Sequence, residues 1–205
     1  MFLSRLTLDP RNAQARRDLG DPYEMHRTLA RAFVPDADTP PPRFLWCLEP
    51  TGNPWASPTL LVQSANREAD WSFLQATPGY LQQPVASKRV ALDKLLVSGS
   101  RYRFRLLANP TVMRQGKRYG LTGETAQLEW LQRQGERHGF TLEAALVTAS
   151  DMLRGRKESS VISVQRVAYE GVLQALQPDA LAQALLAGVG RAKAFGCGLL
   201  SLARC

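Results

Sequence analysis

This 205-residue chain has only three cysteines and two histidines, too few for several common kinds of site. Cys47, Cys197 and Cys205 are widely spaced, and no pair has the Cys-X-X-Cys spacing of a zinc or thiol-redox motif. His26 and His138 alone do not make a histidine-rich metal site. We therefore expect no metal site and no cofactor, with two cysteines buried as small apolar residues and the terminal thiol free.

Long apolar segments are also missing from the sequence. No run of about 20 apolar residues is present, so no membrane-spanning helix is predicted. The first eight residues lack the apolar region and the cleavage site of a secretory signal peptide. These absences predict a cytoplasmic protein.

Basic side chains outnumber acidic ones, with 26 Lys and Arg against 18 Asp and Glu and a formal net charge of +8. Such an excess favours a polyanionic partner, either a nucleic acid or an acidic membrane face. A duplex DNA partner is a weaker hypothesis, because the sequence has no helix-turn-helix or zinc-finger pattern.

The first half of the chain alternates strand-like and helix-like segments. Strands are predicted at 2–8, 43–48, 59–63 and 85–90, and helices at 9–20, 21–33 and 70–75. Asp9 and Asp21 are the expected N-caps of the first two helices, and Glu24 stands where a capping box needs a carboxylate. The order β-α-β-β-α-β is that of a ferredoxin-like fold.

The second half resembles a repeat of this order. Strands are predicted at 101–107, 140–153, 161–173 and 199–202, and helices at 124–138 and 179–186. The expected fold class is α+β with two tandem ferredoxin-like domains. Residues 1–95 would form an N-terminal domain that carries the helix 21–33, and residues 96–205 a C-terminal domain with a basic hairpin and a glycine-rich loop.

One face of the helix 21–33 carries groups suited to chemistry on a phosphodiester. Tyr23, His26, Arg27 and Arg31 are spaced so that they share this face. Imidazole can move protons near neutral pH, and guanidinium can neutralise the extra charge of a five-coordinate phosphorane. No Asp/Glu cluster with metal-site character lies nearby in the sequence, so a two-metal nuclease has little support. The pattern favours metal-independent RNA cleavage by the 2′-hydroxyl; the alternative is a solvated surface histidine.

The stretch Asp21-Pro22-Tyr23-Glu24-Met25-His26-Arg27-Thr28-Leu29 resembles the active-site helix of the CasE type of CRISPR-associated endoribonuclease, within the RAMP superfamily. Segments 2–10, 16–19, 103–110, 117–118, 169–171 and 188–201 also resemble that family. The resemblance covers nearly the whole chain. Cys197 is unusual within the last segment, but the glycines of that segment are retained.

The resemblance implies a tandem ferredoxin-like fold and recognition of a CRISPR repeat stem-loop. It implies metal-independent cleavage at the 3′ base of the stem, which leaves a 2′,3′-cyclic phosphate. The protein would stay bound to the product RNA as a subunit of the Cascade complex. Tyr23 and His26 carry over as the catalytic pair, Arg27 as an RNA-contacting neighbour, and Arg31 keeps a basic charge. Which of Tyr23 and His26 is the base and which the acid stays open.

Further basic residues are predicted to bind RNA phosphates, although some of them can equally be solvated surface cations. These are Arg103 and Arg105 on one strand face, Arg114, Lys117 and Arg118 in the following loop, Arg154, Arg156 and Lys157 at a hairpin tip, and Arg191 and Lys193 in the glycine-rich stretch. The glycines at 188, 190, 196 and 198 can serve either close packing or RNA contact.

A competing hypothesis is a ferredoxin-like RNA-binding subunit that never cuts. The helix face with Tyr23, His26 and Arg27 favours cleavage, because binding alone does not require an imidazole there.

Overall fold

The computed structural model describes residues 1–34, 39–50, 53, 55–157 and 160–205, and for 154–157 and 160–162 it describes the backbone only. The chain divides into two compact units. The first is Met1–Val90 with Ala194–Gly196, and the second is Ala91–Lys193 with Cys197–Cys205. Within the described ranges, no helix is long and apolar enough to cross a membrane.

The first unit contains a four-stranded antiparallel sheet with the order β2-β3-β1-β4. Its strands are β1 (Phe2–Thr7), β2 (Phe44–Leu48), β3 (Thr59–Ser64) and β4 (Ala86–Arg89). Its helices are α1 (Ala13–Gly20), α2 (Pro22–Ala30) and α3 (Ser72–Gln75), with a 3-10 turn at Arg31–Phe33. The predicted strands and helices of this half are confirmed in type and order.

One face of this sheet packs against all three helices. Alternate strand residues such as Leu6, Trp46 and Val62 meet Met25 and Leu29 of α2 in one buried apolar cluster. The alternation follows from the two-residue period of a strand, which sends successive side chains to opposite faces. Helix α2 is thereby held on the sheet by its apolar side.

The start of α1 and the end of α2 differ from the predictions. Asn12, not Asp9, caps α1, and its side chain accepts a hydrogen bond from the Ala15 N–H at 3.0 Å. Asp9 instead binds the Arg11 guanidinium at 2.8 Å. Helix α2 ends at Ala30, because the next three residues tighten into the 3-10 turn.

The second unit also has a four-stranded antiparallel sheet, with the order β10-β5-β9-β8. Its strands are β5 (Arg101–Ala108), β8 (Phe140–Lys157), β9 (Ser160–Ala175) and β10 (Leu200–Arg204). A separate hairpin pairs β6 (Thr111–Arg114) with β7 (Lys117–Gly120). Its helices are α4 (Leu92–Leu95), α5 (Glu124–Arg137) and α6 (Pro178–Ala187). A 3-10 turn at Lys193–Phe195 begins on the last residue of the main segment of this unit and continues into Ala194–Gly196 of the first.

Two predictions for this half are wrong in detail. The segment after β5 is the β6–β7 hairpin and not a loop. Its two-residue turn, Gln115-Gly116, has positive φ at both positions (47° and 73°), the geometry that joins two strands tightly. In addition, β8 continues through Arg154, Arg156 and Lys157, so these residues lie in a strand and not at the turn.

Candidate active-site helix and basic surface

Helix α2 begins at a well-defined cap. The Asp21 carboxylate accepts a hydrogen bond from the Tyr23 N–H at 2.8 Å, and Pro22 occupies the first helical position. The Asp21 N–H donates to the Arg17 carbonyl at 3.0 Å, so the same residue ends α1 and starts α2. A cap of this kind contributes about 1 kcal/mol. The predicted start of the helix is confirmed.

The two sides of α2 are buried to different degrees, as its sequence pattern predicts. Met25 and Leu29 are 1% and 0% exposed. Tyr23 and His26 are half-buried, and Arg27 is exposed. The predicted chemical face therefore remains accessible in part, while the apolar face enters the core.

The His26 imidazole lies flat on the Phe44 ring of β2. The ring centroids are 4.7 Å apart and the planes differ by 14°. Nδ1 is buried, and it has no hydrogen-bond partner among the described residues. Burial lowers the pKa of His26 below its usual value, because the charged imidazolium loses hydration. Burial thus favours the neutral imidazole over the imidazolium.

Arg27 takes part in a chain of charged contacts. Its guanidinium lies 3.1 Å from the Glu24 carboxylate, which is also 3.5 Å from Arg17. Arg17 binds the buried Asp18 at 3.0 Å, and Asp18 accepts a hydrogen bond from the Tyr80 hydroxyl at 2.9 Å. The capping-box interpretation of Glu24 is wrong, because the Asp21 N–H already bonds to Arg17.

Arg31 lies at the C-cap of α2, where its guanidinium stacks over the Phe73 ring of α3 at 4.4 Å from the centroid. A cation over an aromatic face is attracted by the ring quadrupole. Arg31 is therefore held against α3 although it is exposed. Sequence reasoning missed Phe73 and Phe44, because both are distant along the chain and look like ordinary core residues.

The predicted arginines of β5 lie on its exposed side. Arg101, Arg103 and Arg105 alternate with buried Tyr102, Phe104 and Leu106. Arg105 lies 3.2 Å from Glu170 of β9, and Arg101 donates to Glu143 of β8 at 2.6 Å. Acidic side chains on β8 and β9 thus offset part of the charge of this row.

The β6–β7 hairpin carries the second predicted basic group, Arg114, Lys117 and Arg118, and all three are exposed. Arg114 pairs with Lys117 and Met113 with Arg118 across the two strands. Tyr119 is 50% exposed on the same hairpin. The hairpin is therefore an exposed, strongly basic element with one accessible aromatic ring.

The remaining basic residues are less uniform. Arg154, Arg156 and Lys157 pair through their backbone with Ser163, Val161 and Ser160 of β9, and their side chains lie outside the described part of the structure. Arg191 is exposed, whereas Lys193 is partly buried in a 3-10 turn.

The glycine-rich stretch lies close to large side chains. Gly190 has φ of 80°, and a Cβ there would be 3.1 Å from the Trp130 ring. Gly196 has φ of 78°, and a Cβ there would be 3.0 Å from the Trp46 ring. These two positions support the packing role for the glycines.

The cysteines lie as predicted, with Cys47 and Cys197 buried and Cys205 exposed. Burial raises the pKa of the Cys197 thiol to about 12. Among the described residues, no three His, Cys, Asp or Glu side chains form a group that can hold a metal ion.

Comparison with known proteins gives consistent results. A family model described as CRISPR associated protein matches residues 1–204. The chain is 36% identical over 217 residues to the CRISPR-associated endoribonuclease Cse3 of Thermus thermophilus, covering 99% of this chain and 100% of that protein. It is 29% identical over 219 residues to the CRISPR system Cascade subunit CasE of Escherichia coli, covering 99% of each. A solved structure of Cse3 bound to a 19-nucleotide RNA matches with a TM-score of 0.88 at 38% identity, covering 99% and 100% of the two chains.

Proposed function

This chain belongs to the CRISPR-associated family of Cse3 and CasE, and we propose from that premise that it is an endoribonuclease of CRISPR repeat RNA. It binds the stem-loop of the repeat and cuts at the 3′ base of the stem. It then stays bound to the product as a subunit of Cascade. The observation that carries this proposal is the half-buried imidazole of His26 on a helix face shared with Tyr23 and Arg27.

The proposed reaction is an internal transesterification. The ribose 2′-oxygen forms a bond to the adjacent phosphorus, and the bond from phosphorus to the 5′-oxygen breaks. One proton leaves the 2′-hydroxyl and another reaches the departing 5′-oxygen. The products are a 2′,3′-cyclic phosphate and a 5′-hydroxyl, and no metal ion takes part.

Tyr23 and His26 supply the two proton transfers in this proposal. A neutral imidazole can accept a proton, and the imidazolium that forms can donate one. Arg27 and Arg31 stabilise the phosphorane, since a guanidinium close to a developing negative charge lowers the barrier. Each arginine already lies against a partner, Glu24 or Phe73, which limits the freedom of its side chain.

RNA affinity in this proposal comes from the basic residues of the second unit. The hairpin cations Arg114, Lys117 and Arg118 are exposed and can meet phosphates directly. Arg103, Arg105, Arg154, Arg156, Lys157, Arg191 and Lys193 are the further proposed contacts.

We interpret the two units, whose main segments divide after Val90, as the two tandem ferredoxin-like domains that the sequence predicts over residues 1–95 and 96–205. Two features support this interpretation. Both sheets have the order fourth, first, third, second strand, as β4-β1-β3-β2 and β10-β5-β9-β8. Both also place a helix between the first and second strands and another between the third and fourth.

The decisive experiment compares wild type with His26→Ala on a repeat stem-loop RNA in excess EDTA, with RNA binding measured in parallel. We expect wild type to cut in EDTA. We expect His26→Ala to bind RNA with wild-type affinity and to cut at least ~100-fold more slowly, the scale of lost acid–base catalysis.

His138→Ala is the matched control, because it removes the other imidazole of the chain, at the end of α5 in the second unit. It should cut like wild type. If wild type binds the RNA but leaves it intact with or without Mg²⁺, the protein is a non-catalytic RNA-binding subunit and the proposal is wrong.

A further inference from the structure

His26 lies at the outer end of a column of aromatic rings. Its imidazole stacks on Phe44 at 4.7 Å, and Phe44 stacks on Phe33 at 4.9 Å with 21° between the planes. Phe33 meets the edge of Trp71 at 6.3 Å and 75°. Each of these three supporting rings is 5% exposed or less. The column therefore leads from the candidate catalytic group into the core of the first unit.

The inner end of the column is fixed by hydrogen bonds. The Trp71 indole N–H donates to the Ser4 hydroxyl at 3.0 Å, and this hydroxyl is 2.8 Å from that of Ser87. Ser4 belongs to β1 and Ser87 to β4, which pair with each other. The rings are thus tied to the rigid sheet and not only to one another.

The covalent connections add restraint at the outer end. Phe33 closes the 3-10 turn that follows α2, and Phe44 is the first residue of β2. One phenyl ring of the sheet is therefore sandwiched between two side chains that come from α2 and its extension. The Phe44 ring contacts the imidazole directly and so sets its plane, whereas Phe33 contacts only Phe44 and has no stacking contact with His26.

We propose that Phe44 is a positioning residue for His26: its ring face fixes the plane of the imidazole and leaves Nε2 as the nitrogen offered to RNA. The proposal rests on the proposed function, since it concerns the same cleavage. Nδ1 is buried and has no hydrogen-bond partner in the described residues. A hydrogen bond at that nitrogen therefore does not fix the orientation of the imidazole, and the contact with Phe44 is left to do so.

The geometry explains why such a support matters. Proton transfer requires the reacting atoms within hydrogen-bond reach and aligned, and a displacement of about 1 Å can cost ~100-fold in rate. An imidazole on a half-exposed helix face otherwise rotates about its side-chain bonds. A stacked aromatic face removes that rotation without adding a charge or a competing hydrogen bond.

The test compares Phe44→Leu with Phe33→Leu as its matched control. Both substitutions replace a buried phenyl ring of the same column by an aliphatic side chain, but only Phe44 stacks on His26. Three quantities are measured: the pKa of His26 by NMR titration of the RNA-free protein, the single-turnover cleavage rate across pH, and RNA affinity. His138→Ala can serve as the parent for NMR, because it leaves a single histidine to observe.

Phe44→Leu should raise the pKa of His26 towards its usual value, because the imidazolium becomes better hydrated. It should slow cleavage at least about tenfold at saturating RNA and leave RNA affinity unchanged. The histidine-dependent limb of the pH–rate profile should move in the same direction as the NMR pKa. Phe33→Leu should lose comparable stability but keep the wild-type pKa and rate. Phe44→Tyr retains a ring and should restore both.

Equal effects of Phe44→Leu and Phe33→Leu on pKa and rate would overturn the proposal, since both would then act through core stability. A second measurement covers the case in which Phe44→Leu does not fold. In the wild-type protein, ring currents of Phe44 should move the His26 ring-proton resonances upfield of random-coil positions, and their absence would also overturn the proposal. Both NMR measurements need no RNA, so they decide on Phe44 even if the wild-type protein does not cut.

Discussion

Glu24 lies between two cations, 3.1 Å from Arg27 and 3.5 Å from Arg17. Its side chain is 20% exposed, whereas that of Arg27 is 64% exposed. In the RNA-free protein, the Glu24 carboxylate thus neutralises part of the charge of the Arg27 guanidinium. In the proposed complex an RNA phosphate must compete with Glu24 for Arg27, so we expect this carboxylate to lower RNA affinity at the candidate site.

Glu24→Gln removes that competition. We expect RNA affinity to rise a few-fold at low salt, while the free energy of unfolding changes by less than about 1 kcal/mol, because Arg27 is largely exposed and solvent screens its ion pair with Glu24. Affinity is measured by filter binding over a salt series, and stability by urea denaturation.

Glu129→Gln is the control for this change. Glu129 forms an i,i+4 pair with Arg133 on α5 at 3.8 Å, with both side chains more than half exposed. Glu129→Gln makes the same change in charge on α5 of the second unit. A rise in affinity equal to that of Glu24→Gln would mean that only net charge matters.

At the scale of elements, the pairing of the long strands β8 and β9 requires a glycine at one position. Gly171 of β9 pairs with Phe104 of β5 on one side and Ala145 of β8 on the other. The register of β8 shifts between Leu142 and Ala144, which brings the Ala144 carbonyl over Gly171. A Cβ on Gly171 would overlap that carbonyl oxygen. The bulge in β8 therefore requires a residue without a side chain at the facing position of β9, which Gly171 provides.

Gly171→Ala should destabilise the protein by roughly 3 kcal/mol, at the upper end of overpacking costs, because backbone and not a flexible side chain must move. Urea denaturation measures the decrease in the free energy of unfolding.

Gly20→Ala is the matched control, since nothing lies within 4 Å of a Cβ at the end of α1. It should be neutral or stabilising by up to about 1 kcal/mol. If Gly171→Ala is as well tolerated as Gly20→Ala, the backbone of β8 has more freedom than its pairing indicates.

At the scale of the whole molecule, the basic side chains behind the net charge of +8 differ in whether an acidic side chain lies against them. Arg101, Arg105 and Arg166 lie against Glu143, Glu170 and Asp151 respectively. The cations Arg114, Lys117 and Arg118 project on an exposed hairpin. Attraction of a polyanion should depend more on the hairpin than on the paired arginines, although both groups count equally in the formal charge.

Lys117→Gln and Arg118→Gln should each reduce the magnitude of the slope of log affinity against log salt by about one unit, because in the proposed complex each side chain neutralises one RNA phosphate. The measurement is RNA binding between low and physiological salt. Arg101→Gln is the control, because Glu143 already neutralises that guanidinium. A slope that falls equally in all three variants would contradict a special role for the hairpin.

The sequence by itself determined the local features of this protein. Alternation of apolar residues marked the strands, and Asp21-Pro22 marked the start of α2, because these signals depend only on near neighbours along the chain. The helical spacing of Tyr23, His26 and Arg27 likewise placed them on one face. The resemblance to the CasE type, carried by the same residues, is shown by the comparisons.

The tertiary structure decided which partners those side chains have. Phe44 under His26 and Phe73 under Arg31 are 18 and 42 residues away in the chain, and nothing in their local pattern distinguishes them from other core residues. The Gln115-Gly116 turn also escaped prediction, since its first residue adopts a positive φ that Gln rarely takes. Packing of distant segments selected these partners, because burial and stacking energies act between side chains that only the folded chain brings together.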